Sequence, residues 1–342
     1  MASLTLTSLP HYTLAALLVY EFLALFGWRF CNGLEQMNGS VLVPPSRAAH
    51  KEKGQFVPGS GRFCWTQETD EQLDGNNPTC YNTCMMDVEI FATRQEMGVA
   101  AAKATADFLR LSLSQQKTVR AVFAAAPSQN EMLAALVKTE GIDWQRVEAF
   151  HMDEYIGLDV TAPQRFARFL KDRLFDRLPF RAVHLIESEI PDAVKKYEKL
   201  LQATPIDLVC LGIGENGHIA FNDPPVADFA DPAWVKVVEL DEMCRQQQVN
   251  DGCFATFNDV PRQAMTLTIP ALLSGRRLIC TVPGQTKRQA VFKTLHDPIS
   301  TECPSTILRN HASCTLFLDR ESAGEWWANR KGTVFENRVK ED

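Results

Sequence analysis

The sequence predicts an α/β protein of three layers, a mainly parallel sheet with helices on both faces. Three observations carry that expectation. From Met86 onward, short apolar runs of strand length alternate with stretches of helical period. The run Ile206 to Leu211 ends in a Gly-rich loop loaded with polar and ionisable groups, as open α/β sheets present chemistry at their carboxyl edge. No repeat of 20–50 residues points to a solenoid or propeller.

In chain order, Val88 to Ala92 reads as the first strand. Residues 93–113 place Met97, Ala101, Ala104, Phe108 and Leu111 at helical spacing. Val119 to Ala126 is a strand that meets Pro127-Ser128-Gln129, where Ser128 can cap the helix NEMLAALVKT. Val147 to Met152 is a third strand, delivering Asp153-Glu154-Tyr155 at its end, and a helix follows Pro163. Ala182 to Ile186 is short and strand-like, and residues 190–203 are helical. Strands over Ile206 to Leu211 and Val235 to Leu240 precede a helix at 241–249. Ala264 to Ile269 and Arg277 to Val282 are strands, the latter opening a helix through Pro283-Gly284-Gln285-Thr286-Lys287. Cys314 to Leu318 closes the sheet, and the tail 331–342 is polar and frayed.

At 342 residues, 45% apolar and 23% charged, the chain has the composition of a soluble globular protein. Its net charge of −7 argues against a nucleic-acid partner and supplies no basic face for a stable membrane partner. Several of the ten cysteines sit in apolar runs and read as small buried hydrophobes of a reducing compartment, so the expected localisation is cytoplasmic. Cys80-x3-Cys84 lacks a second pair that would make it a zinc signature, and no metal is expected.

The first 85 residues read differently. Residues 12–28 are apolar but carry Glu21 and no preceding Lys or Arg, a poor signal peptide and a short, costly membrane span. From Cys31 to Cys84 no period of 2 or 3.6 is sustained, and Gly, Pro, Asn and Ser punctuate a segment that reads as disordered. An anchor, a regulatory arm, and a gene-prediction artefact with translation starting at Met85 or Met86 are the competing readings of 1–85. The domain proper is expected over 86–330.

The chemistry concentrates in Ile206 to Pro225, with Glu215, Asn216, His218, Asn222 and Asp223 inside nine residues. Gly212-Ile213-Gly214-Glu215-Asn216-Gly217 matches the dinucleotide pattern G-x-G-x-x-G, but Pro224-Pro225 disfavour the helix which that pattern must open. The glycines read instead as a close backbone approach to a ligand. His218 is the candidate for proton transfer, since imidazole ordinarily titrates near neutrality and Glu215 or Asp223 could orient it. A histidine satisfied by a carbonyl is the bland alternative, and the surrounding acids and glycines favour function. Asp153, beside Glu154 at a strand's carboxyl end, could abstract a proton next to a carbonyl or imine carbon. The bland reading is a helix-entry acid pair. His151 lies within the strand and reads as structural. Gly284 to Lys287 combines backbone N–H groups at a helix start with one Lys, an arrangement suited to phosphate.

Together, Met152-Asp153-Glu154-Tyr155-Ile156-Gly157-Leu158, Gly212 through Pro224, Thr266-Leu267 and Gly284 through Lys287 resemble the glucosamine-6-phosphate deaminase/isomerase family, related to 6-phosphogluconolactonases. The resemblance spans roughly Val88 to Leu318. It implies a modified Rossmann-like fold and an aldose–ketose isomerisation coupled to loss of ammonia, with no metal or organic cofactor. By that analogy His218 assists ring opening, supported by Asp223 and Asn216. Asp153 shuttles the proton between C2 and C1 through an enolamine, and Ser128, Glu154, Gly214, Gly217, Arg245 and Lys287 contact a sugar-phosphate substrate. A homo-oligomer is compatible with the resemblance.

Departures from the family pattern fall mainly on the phosphate end. A Gly/Thr/Ser-rich loop is replaced by Ala124-Ala125-Ala126-Pro127-Ser128-Gln129, and an expected Arg falls on Asn250. Asp223 replaces a Glu and Asn216 an Asp. Two alternatives accompany the deaminase expectation: a 6-phosphogluconolactonase-like hydrolase, which needs the His but not Asp153, and a catalytically silent sugar-phosphate sensor.

Overall fold

A computed structural model of the protein describes residues 86–324 together with the backbone of two strands, β1 (Glu52–Val57) and β2 (Arg62–Gln67). The apolar run 12–28, the Cys80/Cys84 pair and the tail 331–342 lie outside the described residues. β1 and β2 form an antiparallel pair, with Glu52 opposite Gln67 and Val57 opposite Arg62. This corrects the reading of 31–84 as disordered throughout. The aromatic and β-branched residues of RFCWTQ favour a strand, and Pro58-Gly59-Ser60-Gly61 supplies turn residues before it.

From Asp87 the alternation holds. The elements are β3 (Asp87–Phe91), α1 (Arg94–Gln115), β4 (Val119–Phe123), α2 (Asn130–Val137), β5 (Val147–His151) and β6 (Asp153–Tyr155). Then come α3 (Phe166–Leu170), continued by a π-helical turn over Lys171–Phe175, β7 (Ala182–His184), α4 (Ala193–Gln202) and β8 (Leu208–Leu211). The last are β9 (Val235–Glu239), α5 (Glu242–Asn250), β10 (Gln263–Leu267), α6 (Ile269–Leu273), β11 (Arg277–Val282), α7 (Arg288–His296), β12 (Cys314–Asp319) and α8 (Arg320–Ala323).

Seven strands form one sheet in the order β3-β12-β11-β8-β4-β5-β7, and every ladder in it is parallel. β12 therefore lies between β3 and β11 and does not close the sheet. Side-chain alternation builds the layers. Along β8, Val209 and Leu211 join one apolar cluster with Ala290, Val291 and Leu295 of α7, while Leu208 and Cys210 join another with Met97, Ala101 and Leu109 of α1. Helices thus cover both faces, and β4, β8 and β12 are buried along their whole length, as central parallel strands require.

The face of α1 differs from the expected one. Leu109 and Leu113 enter the core, whereas Leu111 is exposed, because the buried stripe follows Met97, Ala101, Thr105, Leu109 and Leu113 at steps of four. Thr93 and Glu96 close a capping box at the start of α1. Ser128 does not cap α2. It lies in a 3-10 turn over Pro127–Gln129, and its hydroxyl accepts from Gln129 Nε2 at 3.1 Å.

β6 leaves the main sheet. With β10 and β9 it forms a separate antiparallel sheet, in the order β6-β10-β9, where Asp153 pairs with Thr266. Asp153 therefore sits where the chain steps from the large sheet to the small one.

Candidate active site

A cleft opens at the carboxyl edge of the main sheet. Its lining comes from the segments that follow β4 (Ala124 to Ser128), β5 (Met152, Asp153), β8 (Gly212 to Gly214) and β11 (Pro283 to Lys287). His218, Ala220 and Phe221 add a further wall, and Gln247, Gln248 and Asp251 of α5 and its end add another.

Asp153 is 6% exposed. Burial, and then the neighbouring Glu154 charge, hold its carboxyl well above the ordinary carboxylate range. Its ionised form is accordingly a stronger base than a solvated aspartate. His218 lines the same cleft, with Nδ1 2.9 Å from Asp223 Oδ1. Burial alone would raise the Asp223 carboxyl, but the adjacent His218 and the Asn216 amide outweigh it and hold it below its usual range.

The loop that carries this pair is tightly built. Asn216 Nδ2 donates to Asp223 Oδ1 at 2.9 Å, while Asn216 Oδ1 accepts from the His218 amide at 3.0 Å. Asn216 thus braces both partners from behind the cleft. Gly214 has no room for a side chain, since a Cβ there would overlap the His218 ring. Gly217 has φ +87 and a Cβ there would meet Cys303, so it shapes the turn without lining the cleft. Asn222 Nδ2 ties the loop to β10 through the Leu267 carbonyl at 2.8 Å. Ala220 has φ +49, a strained conformation for a residue with a Cβ, at a position that lines the cleft.

Lys287, Ser128 and Arg94 also line the cleft. Lys287 is buried, which lowers its ammonium below the ordinary lysine value, partly opposed by Asp251 and Glu215. Arg94 escaped the sequence reading because it sits in the first turn of α1, far from every motif. Its guanidinium meets Glu131 at 2.8 and 3.0 Å and the Pro127 carbonyl at 3.0 Å, so it anchors the turn that carries Ser128. Gln247 and Gln248 were also missed. Gln247 accepts from the Glu215 amide at 2.9 Å, and Gln248 from the Tyr155 hydroxyl at 2.8 Å.

Two expected substrate contacts are otherwise engaged. Glu154 is fully buried, does not line the cleft, and accepts from the amides of Tyr155, Phe166 and Ala167 at 3.0–3.1 Å. It satisfies the open N-terminus of α3, the bland reading of an acid at helix entry. Arg245 donates to the carbonyls of Phe257 and Val260, both at 2.9 Å, and its guanidinium lies 4.0 Å from the Phe257 ring centre. It pins the chain beyond α5 and does not line the cleft. Asn250 is exposed and takes no part. His151 is structural as read: its Nε2 accepts from the Ile186 amide at 2.7 Å, and burial brings its pKa down to about 3.

Fold and cleft define an α/β protein with a buried acid and a carboxylate-backed histidine lining one cleft at the sheet's carboxyl edge. Residues 92–317 match the family described as glucosamine-6-phosphate isomerases/6-phosphogluconolactonase. A glucosamine-6-phosphate deaminase of Listeria monocytogenes is 30% identical over 231 residues, covering 67% of this chain and 96% of the relative. One from an Exiguobacterium species is 37% identical over 191 residues, 55% of this chain and 73% of the relative. Among solved structures, a monomeric glucosamine-6-phosphate deaminase superposes with a TM-score of 0.64 at 29% identity, covering 70% of this chain and 99% of the other. A 6-phosphogluconolactonase from Thermotoga maritima shares the fold at a TM-score of 0.57 and 20% identity, over 68% of this chain and 100% of the other. The chain belongs to the glucosamine-6-phosphate isomerase/6-phosphogluconolactonase family. Among the described residues no helix is long and apolar enough to cross a membrane.

Proposed function

We propose that this protein converts glucosamine 6-phosphate, or a close amino-sugar phosphate, and water to fructose 6-phosphate and ammonium. The observation that carries the reading is the placement of Asp153 and His218 in one cleft, with Asp223 behind the histidine. His218, backed by the Asp223 charge, moves the proton that opens the sugar ring. Asp153 then takes the C2 proton, with the electron pair passing into the C1–C2 bond of an enolamine, and returns a proton to C1. Water adds to the resulting C2 imine and ammonia leaves. The substrate's own carbonyl accommodates the carbanion charge, so the sequence needs no cofactor. Lys287, the Ser128 hydroxyl and Arg94 hold the phosphate.

A lactonase reaction has no use for a carboxyl at Asp153, and a silent sensor has none for a proton shuttle. Six unpaired cysteines among the described residues suit a reducing, cytoplasmic setting. The test is incubation with glucosamine 6-phosphate while ammonium and fructose 6-phosphate are both measured. Equimolar appearance of the two is expected. Absence of both from a folded preparation would refute the reading.

A further inference from the structure

One ring nitrogen of His218, one carboxylate oxygen of Asp223 and the Cys244 sulfur all lie within 4.8 Å of one another, and all three residues are buried. Cys244 comes from the first turn of α5, not from the loop that carries the other two. Within the cluster His218 Nδ1 lies 2.9 Å from Asp223 Oδ1, and the Cys244 thiol is hydrogen-bonded to the Asp223 carboxylate.

We propose that His218, Asp223 and Cys244 form a binding site for a thiophilic divalent cation such as Zn2+, and that its occupancy switches the histidine off. Donors bound tetrahedrally at zinc distances sit about 3.5 Å apart, as the bond lengths of about 2.0–2.3 Å require. The cluster brackets that spacing, with its His–Asp edge at 2.9 Å and none beyond 4.8 Å. Small side-chain rotations therefore complete the site. Nitrogen, oxygen and sulfur are the donors this ion takes, and three of them leave a fourth position open. Charge also balances. A thiolate, a carboxylate and a neutral imidazole around a dication sum to zero, so the buried site carries no net charge. Binding releases the thiol proton to solvent.

The cation would take the Nδ1 lone pair and neutralise Asp223, removing the support that His218 needs to move a proton. This consequence rests on the deaminase reading, whereas the metal site itself does not. Metal-free protein titrated with Co2+ reads the site without turnover. One ion per chain with a thiolate-to-cobalt charge-transfer band is expected. Both Cys244→Ser and Cys244→Ala should lose the band and bind at least about tenfold more weakly. Zn2+ should suppress ammonium release by the wild type, and Cys244→Ala should need at least about tenfold more for the same loss. No charge-transfer band in the wild type, or an undiminished band in both variants, would overturn the site. A normal band with zinc-insensitive turnover would overturn the inhibitory role.

Discussion

Asp153 enters the cleft with its carboxyl held above the ordinary range by burial and by Glu154. A general base must be ionised, so activity lies on the alkaline side of that raised value and falls as pH drops through it. The acid limb of kcat/KM is therefore expected well above about 4, where a solvated aspartate titrates. A limb at the ordinary carboxylate value would remove Asp153 from the role. On the proposed reading that Lys287 and Arg94 hold the phosphate, Lys287→Met or Arg94→Gln removes a charged hydrogen-bond partner worth about 1.5–3 kcal/mol. KM should rise roughly ten- to hundredfold, with kcat changing less. An unchanged KM for either variant would exclude that residue from phosphate binding. Asp153 and His218 were legible because each lies in a dense local motif at a strand end. The role of Arg245 was not, and that of Glu154 was legible only as the bland alternative of a helix-entry acid. Glu154 closes α3 from 12–13 residues away, and Arg245 reaches carbonyls 12–15 residues on. Arg94 was invisible for the same reason, since only folding brings α1 against the turn at Pro127.

At the scale of elements, the alternation of period located nearly every strand and helix of the main sheet. It could not show that β6, β9 and β10 form a second, antiparallel sheet, because pairing partners are chosen by tertiary contact. The approach of α1 to α2 was also hidden. A Cβ on Gly98 would lie 2.8 Å from the Glu131 carbonyl carbon and 2.9 Å from the Met132 amide nitrogen, both backbone atoms of α2. Helix propensity favours alanine over glycine by about 1 kcal/mol. Overpacking a closed contact costs about 1–3 kcal/mol. Gly98→Ala is therefore expected to lower thermal stability despite its better propensity, and a rise in Tm would show that the two helices separate freely. The same helix contact carries the Arg94–Glu131 pair, so the variant should also loosen the turn that holds Ser128.

For the molecule as a whole, the role proposed for Asp153 and global stability are in opposition. The folded-state pKa of Asp153 is raised above its unfolded value, so its contribution favours the native state only at low pH and is lost as pH rises through the folded value. Ionising this buried carboxyl costs stability that asparagine, of nearly equal size, does not lose. We attribute the retention of this liability to the movement of the substrate proton by Asp153. Asp153→Asn tests it in one preparation, by ammonium release from glucosamine 6-phosphate and by Tm across pH. Release should fall at least about a hundredfold, as for loss of a general base. Tm should rise at neutral pH, with the gain vanishing as pH falls into the carboxylate range. A variant that keeps wild-type turnover, or one that loses turnover and Tm together, would remove Asp153 from this role.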